Sequence, residues 1–355
     1  MDTLDLIYQN NLLLDNFQSE RYEKTLRSLM LVLIVQMRKS SPVFNYFFNE
    51  IYFGGSFFDG LKLASTSQEF DLNIVFKFKS QISIVGLNTE RCKPNFAYLK
   101  LESGYIFGPT KTEKELSDEW KLKELVYISP SKLFQVLKEA IDQSLYSLNG
   151  KIILDNGKEY KIEKESDRGV AYTLYVVCKE ENFECKIDLV PAISLHVNQL
   201  DREVLNRVKT INKLFHSTVT RCMAVALNTR DKNRFQIDFH DLERDILKHK
   251  LRAKQIVMLM KHLRDIKQGP LGKSWSHLIK TIVMNQVIHS ENQSVWNKIF
   301  KKKSWDETNG LEHCLIKCLE AWENGLKNGV FDVFFPDLDL MDRLSKYPQV
   351  IDRNV

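Results

Sequence analysis

Three short stretches of the chain carry residue types that can do phosphate chemistry. In the first, Gly54, Gly55 and Ser56 follow the apolar residues 51–53. Two glycines let the backbone turn tightly and approach a ligand, and the serine hydroxyl follows at once. A helix that begins at Ser56 would also direct its free N–H groups towards a phosphate. A plain turn is the alternative interpretation, because this tripeptide is common.

The second stretch holds two carboxylates, Glu69 and Asp71, at the start of residues 69–78. This run is rich in β-branched and aromatic residues, which predicts a strand. Residues i and i+2 of a strand project from the same face, so the two carboxylates point together while Phe70 faces the core. Like charges this close are unfavourable unless a cation neutralises them. A solvated acidic edge is the alternative for such a pair taken alone.

The third stretch, residues 184–195, places Asp188 inside an otherwise apolar strand-like run. Asp188 is a candidate third carboxylate on a neighbouring strand; a strand-end residue or the partner of a base is the alternative. Three carboxylates suit two Mg²⁺ ions, which serve in-line nucleotidyl transfer. The chain contains neither a GxxxxGK[ST] nor a kinase-type GxGxxG motif, which argues against the common ATPases and kinases. The combination is typical of the nucleotidyltransferase superfamily.

The helices and strands predicted around these residues indicate an α+β fold of two lobes. Residues 17–39 have apolar side chains at helical spacing, and Asp15 or Ser19 could cap them, which predicts one long helix. This helix and the strands belong to an N-terminal lobe, residues 1–200, and a helical lobe follows, residues 201–355. The predicted strands are 69–78, 172–179 and 184–195, and the later helices are 202–216, 242–267, 274–289 and 311–328.

Composition and cysteine use also bear on the class of protein. Of the 355 residues, 43% are apolar and 27% are charged, which is ordinary for a globular chain with a core of its own. The longest apolar run, residues 29–35, is too short to cross a bilayer, and the N-terminus lacks the order of a signal peptide. Six scattered cysteines without a CxxC pair suit a reducing compartment. We therefore expect a cytoplasmic protein that does not associate with membranes.

At these motifs the chain resembles a known family, the cyclic GMP-AMP synthases and the cyclic GMP-AMP synthase-like receptors of animals. Residues 54–62, GGSFFDGLK, and residues 69–73, EFDLN, are similar to the family's activation-loop and catalytic-strand signature. The likeness covers nearly the whole chain, and its motifs stand in the family's order. Further matches in the helical lobe are residues 238–247, 258–263, 275–281 and 334–340.

The resemblance implies a bilobed nucleotidyltransferase fold, in which a long N-terminal spine helix braces a mixed β-sheet lobe and a C-terminal helical-bundle lobe. It implies that Glu69, Asp71 and Asp188 are catalytic and hold two Mg²⁺ or Mn²⁺ ions. Asp188 is then the best candidate to receive the proton of the attacking hydroxyl. ATP and GTP would bind between the lobes. The implied nucleotide-binding residues are Gly55, Ser56, Arg234, Lys261, Ser276 and His277, the last standing where the family often has a stacking tyrosine.

The resemblance also bears on the activator. Vertebrate cyclic GMP-AMP synthase carries a zinc-binding insertion of His and Cys ligands between two helices of the second lobe. Here residues 247–257 are predicted as uninterrupted helix that contains His249 and no cysteine, so we expect no zinc. Zinc-free relatives in insects are known as double-stranded RNA sensors. The resemblance therefore implies double-stranded RNA as the activator, with dimer formation on that ligand.

Three basic segments could form the surface that binds this activator. The N-terminal helix, residues 202–234 and residues 242–267 carry clusters of Lys and Arg, and double-stranded RNA presents mainly phosphates and 2′-hydroxyls. Solvated helix faces balanced by acids elsewhere are the alternative for any one cluster. The candidate nucleic-acid-binding residues are Arg21, Lys24, Arg27, Lys39, Arg244, Lys248, Lys250 and Arg252.

The expected function is a double-stranded-RNA-activated nucleotidyltransferase that makes a cyclic dinucleotide of the cyclic GMP-AMP type from ATP and GTP in innate antiviral signalling. A linear intermediate would re-enter the site for the second transfer that closes the ring. Two alternatives stay open. A catalytically silent relative would act as a scaffold or binding module, although the intact Glu69, Asp71 and Asp188 argue against it. A transferase like oligoadenylate synthetase would use the same metals for a different product.

Overall fold

The structure is a computed structural model that describes most of the chain. Cys92, His249 and the predicted match at residues 334–340 lie outside the described residues. The side chain of His277 likewise lies outside what the structure describes. The described residues are 3–12, 15–64, 68–78, 81–85, 96–102, 127–166, 171–226, 234–248, 250–266, 276–298 and 311–328.

A 10-stranded sheet lies at the centre of the described protein. Its strands are β1 (Phe48–Gly54), β2 (Glu69–Phe76), β3 (Ile82–Val85), β4 (Phe96–Leu101), β5 (Lys151–Ile153), β6 (Glu159–Ser166), β7 (Tyr172–Cys178), β8 (Phe183–His196), β9 (Arg221–Val225) and β10 (Phe235–Asp238). Hydrogen bonds connect them in the order β3-β4-β10-β9-β8-β7-β6-β5, while β2 pairs with both β8 and β1. The three strand runs expected from the sequence are thus present as β2, β7 and β8.

Strand β8 organises the sheet because it is long enough to pair with three neighbours. Its first half pairs with β7 and its last residues pair with β9, both antiparallel, and β2 runs parallel along its middle. Strand β2 is fully buried from Leu72 onward, so only its first residues leave one face open. The predicted alternation there is confirmed, since Glu69 and Asp71 are exposed while Phe70 is buried.

Helices pack against this sheet and make up most of the described chain after residue 240. They are α1 (Thr3–Ile7), α2 (Asn16–Ser40), α3 (Pro42–Phe47), α4 (Gly55–Phe58), α5 (Pro130–Ser147), α6 (Arg202–Leu214), α7 (His240–Lys248), α8 (Leu251–Ile266), α9 (Ser276–Lys298) and α10 (Leu311–Asn328). Helix α2 is the predicted long N-terminal helix: the Asp15 side chain accepts a hydrogen bond from the Phe17 backbone N–H and caps it. Its buried stripe has the spacing that predicted it: Leu26, Leu29, Met30, Leu33, Ile34 and Met37.

The structure corrects part of the helical prediction. Residues 242–267 form two helices rather than one, because α7 ends at Lys248 and α8 begins at Leu251. Neither glycine nor proline marks this break, so the residue pattern gave no sign of it. The sheet also continues past residue 200, since β9 and β10 follow α6. The α+β class is confirmed, and the division into lobes of residues 1–200 and 201–355 stays a prediction.

A large apolar core joins the sheet to the helices packed against it. Leu33 of α2, Leu189 of β8, Ile256 of α8 and Trp322 of α10 all belong to this core. A core shared in this way holds the helices in fixed positions against the ends of β1 and β2. Among the described helices, none has both the length and the apolar composition needed to cross a membrane.

Candidate active site

Strand register brings the three predicted carboxylates together. In the parallel pairing of β2 with β8, Asp71 lies directly opposite Asp188, and Glu69 precedes Asp71 by two residues on the same face. Asp71 is paired on its other side with Gly54 of β1. Backbones of neighbouring strands lie about 5 Å apart, so the carboxylates are within reach of a shared ligand. Their catalytic role stays a prediction, but the backbone itself places them as that role requires.

The three carboxylates oppose one another electrostatically. Desolvation, followed by the negative charge of Asp188, raises the pKa of Glu69 and the pKa of Asp71. Asp71 is open to solvent along one side, yet protein atoms surround its carboxylate closely enough for desolvation to be the larger cause. A cation would relieve this repulsion, and divalent ions such as Mg²⁺ prefer carboxylate oxygens. The donor set therefore fits Mg²⁺ or Mn²⁺.

Residues 53–62, here called the Ser56 loop, lie directly on Asp71. Gly55 has a φ of +76°, a left-handed conformation that glycine adopts without strain. A Cβ atom on Gly55 would lie 2.7 Å from Cγ of Asp71, closer than two carbon atoms can approach. Both the backbone conformation and the available space therefore require glycine. The chain turns tightly at this glycine, and Ser56 follows it in the short helix α4.

Ser56 is bound by Lys261 of α8. Lys261 Nζ donates a hydrogen bond to Ser56 Oγ at 3.0 Å and another to the Leu61 carbonyl oxygen at 2.9 Å. Burial, followed by the positive charges of Arg264 and Lys62, lowers the pKa of Lys261 to about 8. A buried ammonium beside a hydroxyl is suited to a phosphate oxygen, whose negative charge would stabilise the protonated form.

Two further residues predicted to bind nucleotide differ in their surroundings. Arg264 Nη1 donates to Ser276 Oγ at 2.9 Å, which connects Ser276 to the same helix as Lys261, one turn further along. Arg234 Nε donates to the Tyr98 hydroxyl at 3.1 Å, which ties Arg234 to β4. The structure therefore groups Ser276 with Ser56 and Lys261 through α8. For Arg234 it shows a contact within the sheet instead.

A buried ion cluster fixes the far side of the Ser56 loop. Lys280 of α9 lies between Asp59 of the loop and Glu243 of α7, and all three side chains are at most 10% exposed. Lys280 Nζ is 3.5 Å from Asp59 Oδ2 and is also ion-paired with Glu243. Burial opposes the charge of Lys280, but the two carboxylates outweigh it and raise the pKa of Lys280. Two helices are thereby attached to the loop at a single point.

Two arginines that were predicted to bind nucleic acid reach the same loop. Arg244 of α7 donates to the Phe53 carbonyl oxygen at 2.7 Å and to Asp59 Oδ1 at 3.2 Å. The guanidinium carbon of Arg27, on α2, lies 4.1 Å from the centre of the Phe53 ring, within cation–π distance. The Ser56 loop is therefore contacted by basic side chains from α2, α7, α8 and α9.

A comparison with protein families identifies the class of domain to which the chain belongs. A profile of the Mab-21 protein nucleotidyltransferase domain matches residues 57–249, more than half of the chain, and the match includes all three carboxylates. The chain belongs to the Mab-21 nucleotidyltransferase family. The predicted bilobed transferase fold is confirmed at this level by the family and by the mixed sheet with its covering helices.

Individual relatives in the family are named as receptors. The cyclic GMP-AMP synthase-like receptor of Tribolium castaneum is 26% identical over 294 residues, which cover 79% of this chain and 70% of that protein. The receptor of Lucilia cuprina is 26% identical over 294 residues, covering 81% and 75%. For the receptor of Trichogramma pretiosum the identity is 23% over 262 residues, covering 72% of this chain and 52% of that relative, about half its length. The resemblance expected from the motifs is confirmed.

The other basic residues predicted to bind nucleic acid differ in exposure. Lys24 and Lys39 of α2 and Lys248 at the end of α7 are exposed. Arg21 is ion-paired with Glu181, and their side chains are 38% and 15% exposed. Partly buried residues at the junction of α7 and α8 are Lys250 and Arg252. Nothing in these contacts tests nucleic-acid binding, which stays a prediction.

A second acidic group of this nucleotidyltransferase lies beside the ion cluster. Asp238, His240 and Glu243 can each offer one ligand atom, and these atoms lie within 4.8 Å of one another. Glu243 is already ion-paired with Lys280, and His240 Nδ1 is 3.2 Å from an oxygen of Asp238. Partners within the protein compensate these charges. At Glu69 and Asp71, by contrast, desolvation and the charge of Asp188 outweigh the positive charge of Lys62, so the carboxylates of β2 and β8 are the better candidates for a metal.

Sequence reasoning did not single out several residues that hold the predicted ones in place. Asp59 carried a usable signal, because it is an acidic residue only three positions after Ser56, in the stretch predicted to bind phosphate. The others carried none: a Lys or Arg on an amphipathic helix looks the same whether it faces solvent or a buried partner. The residues concerned are Asp59, Thr173, Glu243, Arg264 and Lys280.

Proposed function

We propose that the protein is a metal-dependent nucleotidyltransferase that joins ATP and GTP into a cyclic dinucleotide of the cyclic GMP-AMP type. Membership of the nucleotidyltransferase family gives the transferase class, and relatives named as cyclic GMP-AMP synthase-like receptors support the product. One observation carries the catalytic part. Asp71 lies between Asp188 and the Ser56 loop, so that carboxylates and a phosphate-binding loop meet at one point.

Glu69, Asp71 and Asp188 would hold the divalent ions. Their crowding raises the pKa of Glu69 and of Asp71, and the repulsion would be relieved by positive charge. When bound, such ions polarise the phosphoryl group, neutralise the leaving pyrophosphate and lower the pKa of the attacking ribose hydroxyl. Among this chain's own groups, Asp188 is the one we assign to accept the proton of that hydroxyl.

The triphosphate would lie against the Ser56 loop. Gly55 lets the backbone approach, the Ser56 hydroxyl can donate to a phosphate oxygen, and Lys261 supplies positive charge next to it. Arg264 and Ser276 extend the same polar strip along α8. These contacts orient the donor so that its α-phosphorus faces the carboxylates, and orientation of this kind supplies much of the acceleration in phosphoryl transfer.

We further propose that double-stranded RNA activates the protein in the cytoplasm as part of innate antiviral signalling. Exposed lysines on two elements support this: Lys24 and Lys39 on α2, and Lys248 at the end of α7. Both elements also send an arginine to the Ser56 loop, so a ligand that bridges them would bear on the loop's position. Phosphate contacts without base contacts suffice for a duplex RNA.

Product analysis tests the catalytic proposal. The full chain is incubated with ATP, GTP and Mg²⁺, with no ligand, double-stranded DNA or double-stranded RNA, and products are identified by mass spectrometry. A cyclic dinucleotide formed only with RNA, and absent in Asp71→Asn, is the expected result. A linear oligoadenylate would indicate a transferase of the oligoadenylate-synthetase type. Absence of any product, with intact nucleotide binding, would indicate a silent scaffold.

The activator surface has its own test. The triple variant Lys24→Glu, Lys39→Glu and Lys248→Glu should bind duplex RNA weakly and show a shallower salt dependence, because phosphate contacts release counterions. The matched control reverses the same number of exposed lysines elsewhere, by Lys77→Glu, Lys132→Glu and Lys317→Glu. Equal loss of binding in both variants would show an effect of net charge alone and would contradict the assigned surface.

A further inference from the structure

Thr173 stands directly opposite Asp188 in the antiparallel pairing of β7 with β8. Its hydroxyl Oγ1 donates a hydrogen bond to Asp188 Oδ1 at 2.6 Å. This length is typical of a hydroxyl bound to an ionised carboxylate, which is one of the stronger hydrogen bonds in proteins. Since Asp71 lies opposite Asp188 on the other side, the sheet sets out Thr173, Asp188, Asp71 and Gly54 in one row across four strands.

The hydrogen bond restricts the carboxylate of Asp188. The terminal torsion of an aspartate side chain is broad, so an unheld carboxylate turns freely about its last bond. A threonine side chain is stiff because it is branched at Cβ, and it therefore offers its hydroxyl in a fixed direction. With Oδ1 engaged by Thr173, rotation of the carboxylate is restricted, and the other oxygen is left for a further ligand.

We propose that Thr173 is a positioning residue for Asp188: its hydroxyl fixes the carboxylate so that one oxygen is presented to the metal ions and the attacking hydroxyl. The proposal rests on the catalytic role proposed for Asp188. Thr173 does not touch substrate in this arrangement and acts only through Asp188. Its neighbours along the same face of β7, Tyr175 and Val177, lie opposite Lys186 and Glu184, so this role belongs to one position of the strand.

A merely structural threonine would behave differently, and two substitutions separate the cases. Thr173→Val keeps the shape and the β-branch but removes the hydroxyl. Thr173→Ser keeps the hydroxyl but removes the methyl group, which suits a side chain that is only partly buried. If Thr173 acts through packing, Thr173→Ser should impair the protein more than Thr173→Val does. If it acts through positioning of Asp188, Thr173→Val should impair it more.

The experiment uses the full chain and compares the wild type with both variants. Nucleotidyl transfer is measured over a series of Mg²⁺ concentrations, and the melting temperature is measured alongside. For Thr173→Val we expect about a tenfold lower kcat and a higher Mg²⁺ concentration for half-maximal rate, with the melting temperature nearly unchanged. Thr173→Ser should restore both kinetic values. A valine variant with wild-type kinetics, or a serine variant as impaired as valine, overturns the proposal.

A second readout keeps the inference separate from the proposed function. Binding of Mn²⁺ should raise the melting temperature of the wild type. The rise should be smaller in Thr173→Val and should equal that of the wild type in Thr173→Ser. Asp188→Asn serves as the negative control. If the wild type transfers no nucleotide but shows this pattern, the proposed function fails and the positioning role holds. If the wild type shows neither nucleotidyl transfer nor a metal-dependent shift in melting temperature, the proposed function and the positioning role are both overturned.

Discussion

The carboxylates and the Ser56 loop are held in place by different means. Backbone pairing across β1, β2, β8 and β7 positions the carboxylates, so their spacing depends on strand register and hardly on individual side chains. The Ser56 loop depends on side chains from separate helices, chiefly Arg244, Lys261 and Lys280. Substitutions in the first region should therefore change chemistry without unfolding the protein. In the second region they should change both.

The largest expected effect is that of Asp71→Asn. Transfer should fall by about 1000-fold, within the range for loss of an essential acid–base or metal-binding group. Because the pKa of Asp71 is raised in the folded protein, the ionised side chain opposes folding above that pKa, so the free energy of unfolding at pH 7 should not decrease. Enzyme kinetics measure the transfer rate, and urea denaturation measures the free energy of unfolding. Asp155→Asn, in an exposed turn, is the control.

Gly55→Ala should reduce transfer by about 100-fold, because the new Cβ overlaps the Asp71 carboxylate and displaces the loop. Backbone strain should also reduce the free energy of unfolding by about 1–3 kcal/mol. Gly157→Ala is a matched control, since Gly157 has the same φ of +76° and nothing within 4 Å of a Cβ. Equal loss of transfer in both variants would show that strain, and not the overlap, is responsible.

Lys280→Met should destabilise the protein most and reduce transfer about tenfold. It leaves Asp59 and Glu243 buried without their cation, and breaking a buried pair in this way costs about 3–5 kcal/mol. Thermal denaturation and transfer assays measure both effects. Adding Glu243→Gln should recover part of the stability, whereas the exposed Lys317→Met should have no effect. Unchanged stability in Lys280→Met would contradict the assigned ion cluster.

The smallest expected effect concerns pH. With a pKa of about 8, Lys261 is protonated below that pH and loses its charge above it, so nucleotide binding should weaken as pH rises. At pH 9, one unit above this pKa, the affinity for nucleotide should be lower by at most about tenfold. Lys261→Arg stays charged and should remove this dependence. Titration calorimetry with ATP between pH 7 and 9 measures it; a flat wild-type profile would contradict the lowered pKa.

Local pattern was enough to predict one part of the site. Alternation along β2 placed Glu69 and Asp71 on one face, and the apolar run around Asp188 indicated a buried strand. The partner across the sheet was beyond reach, because register between distant strands depends on the whole fold. Thr173 therefore could not be distinguished from any other threonine in a strand.

Side-chain direction accounts for most of what the sequence did not reveal. Arg244 was assigned to a nucleic-acid surface because it lies in a basic segment, yet its guanidinium points to Phe53 and Asp59. Composition counts charges and does not show which of them are committed to buried partners. The break between Lys248 and Leu251 likewise leaves no mark in the residue pattern.

The parallel pairing of β2 with β8 also affects the unfinished chain during translation. More than 100 residues separate the paired strands, so β2 emerges from the ribosome many seconds before β8 at about 5–20 residues per second. During that interval β1 is its only available partner among the described strands, and the apolar edge of Leu72–Phe76 is open to other chains. A chain that terminates before β8 therefore lacks Asp188, and we expect it to expose this edge of β2. Pairing with β8 thus closes this edge of β2 and brings Asp188 opposite Asp71 in the same step of folding.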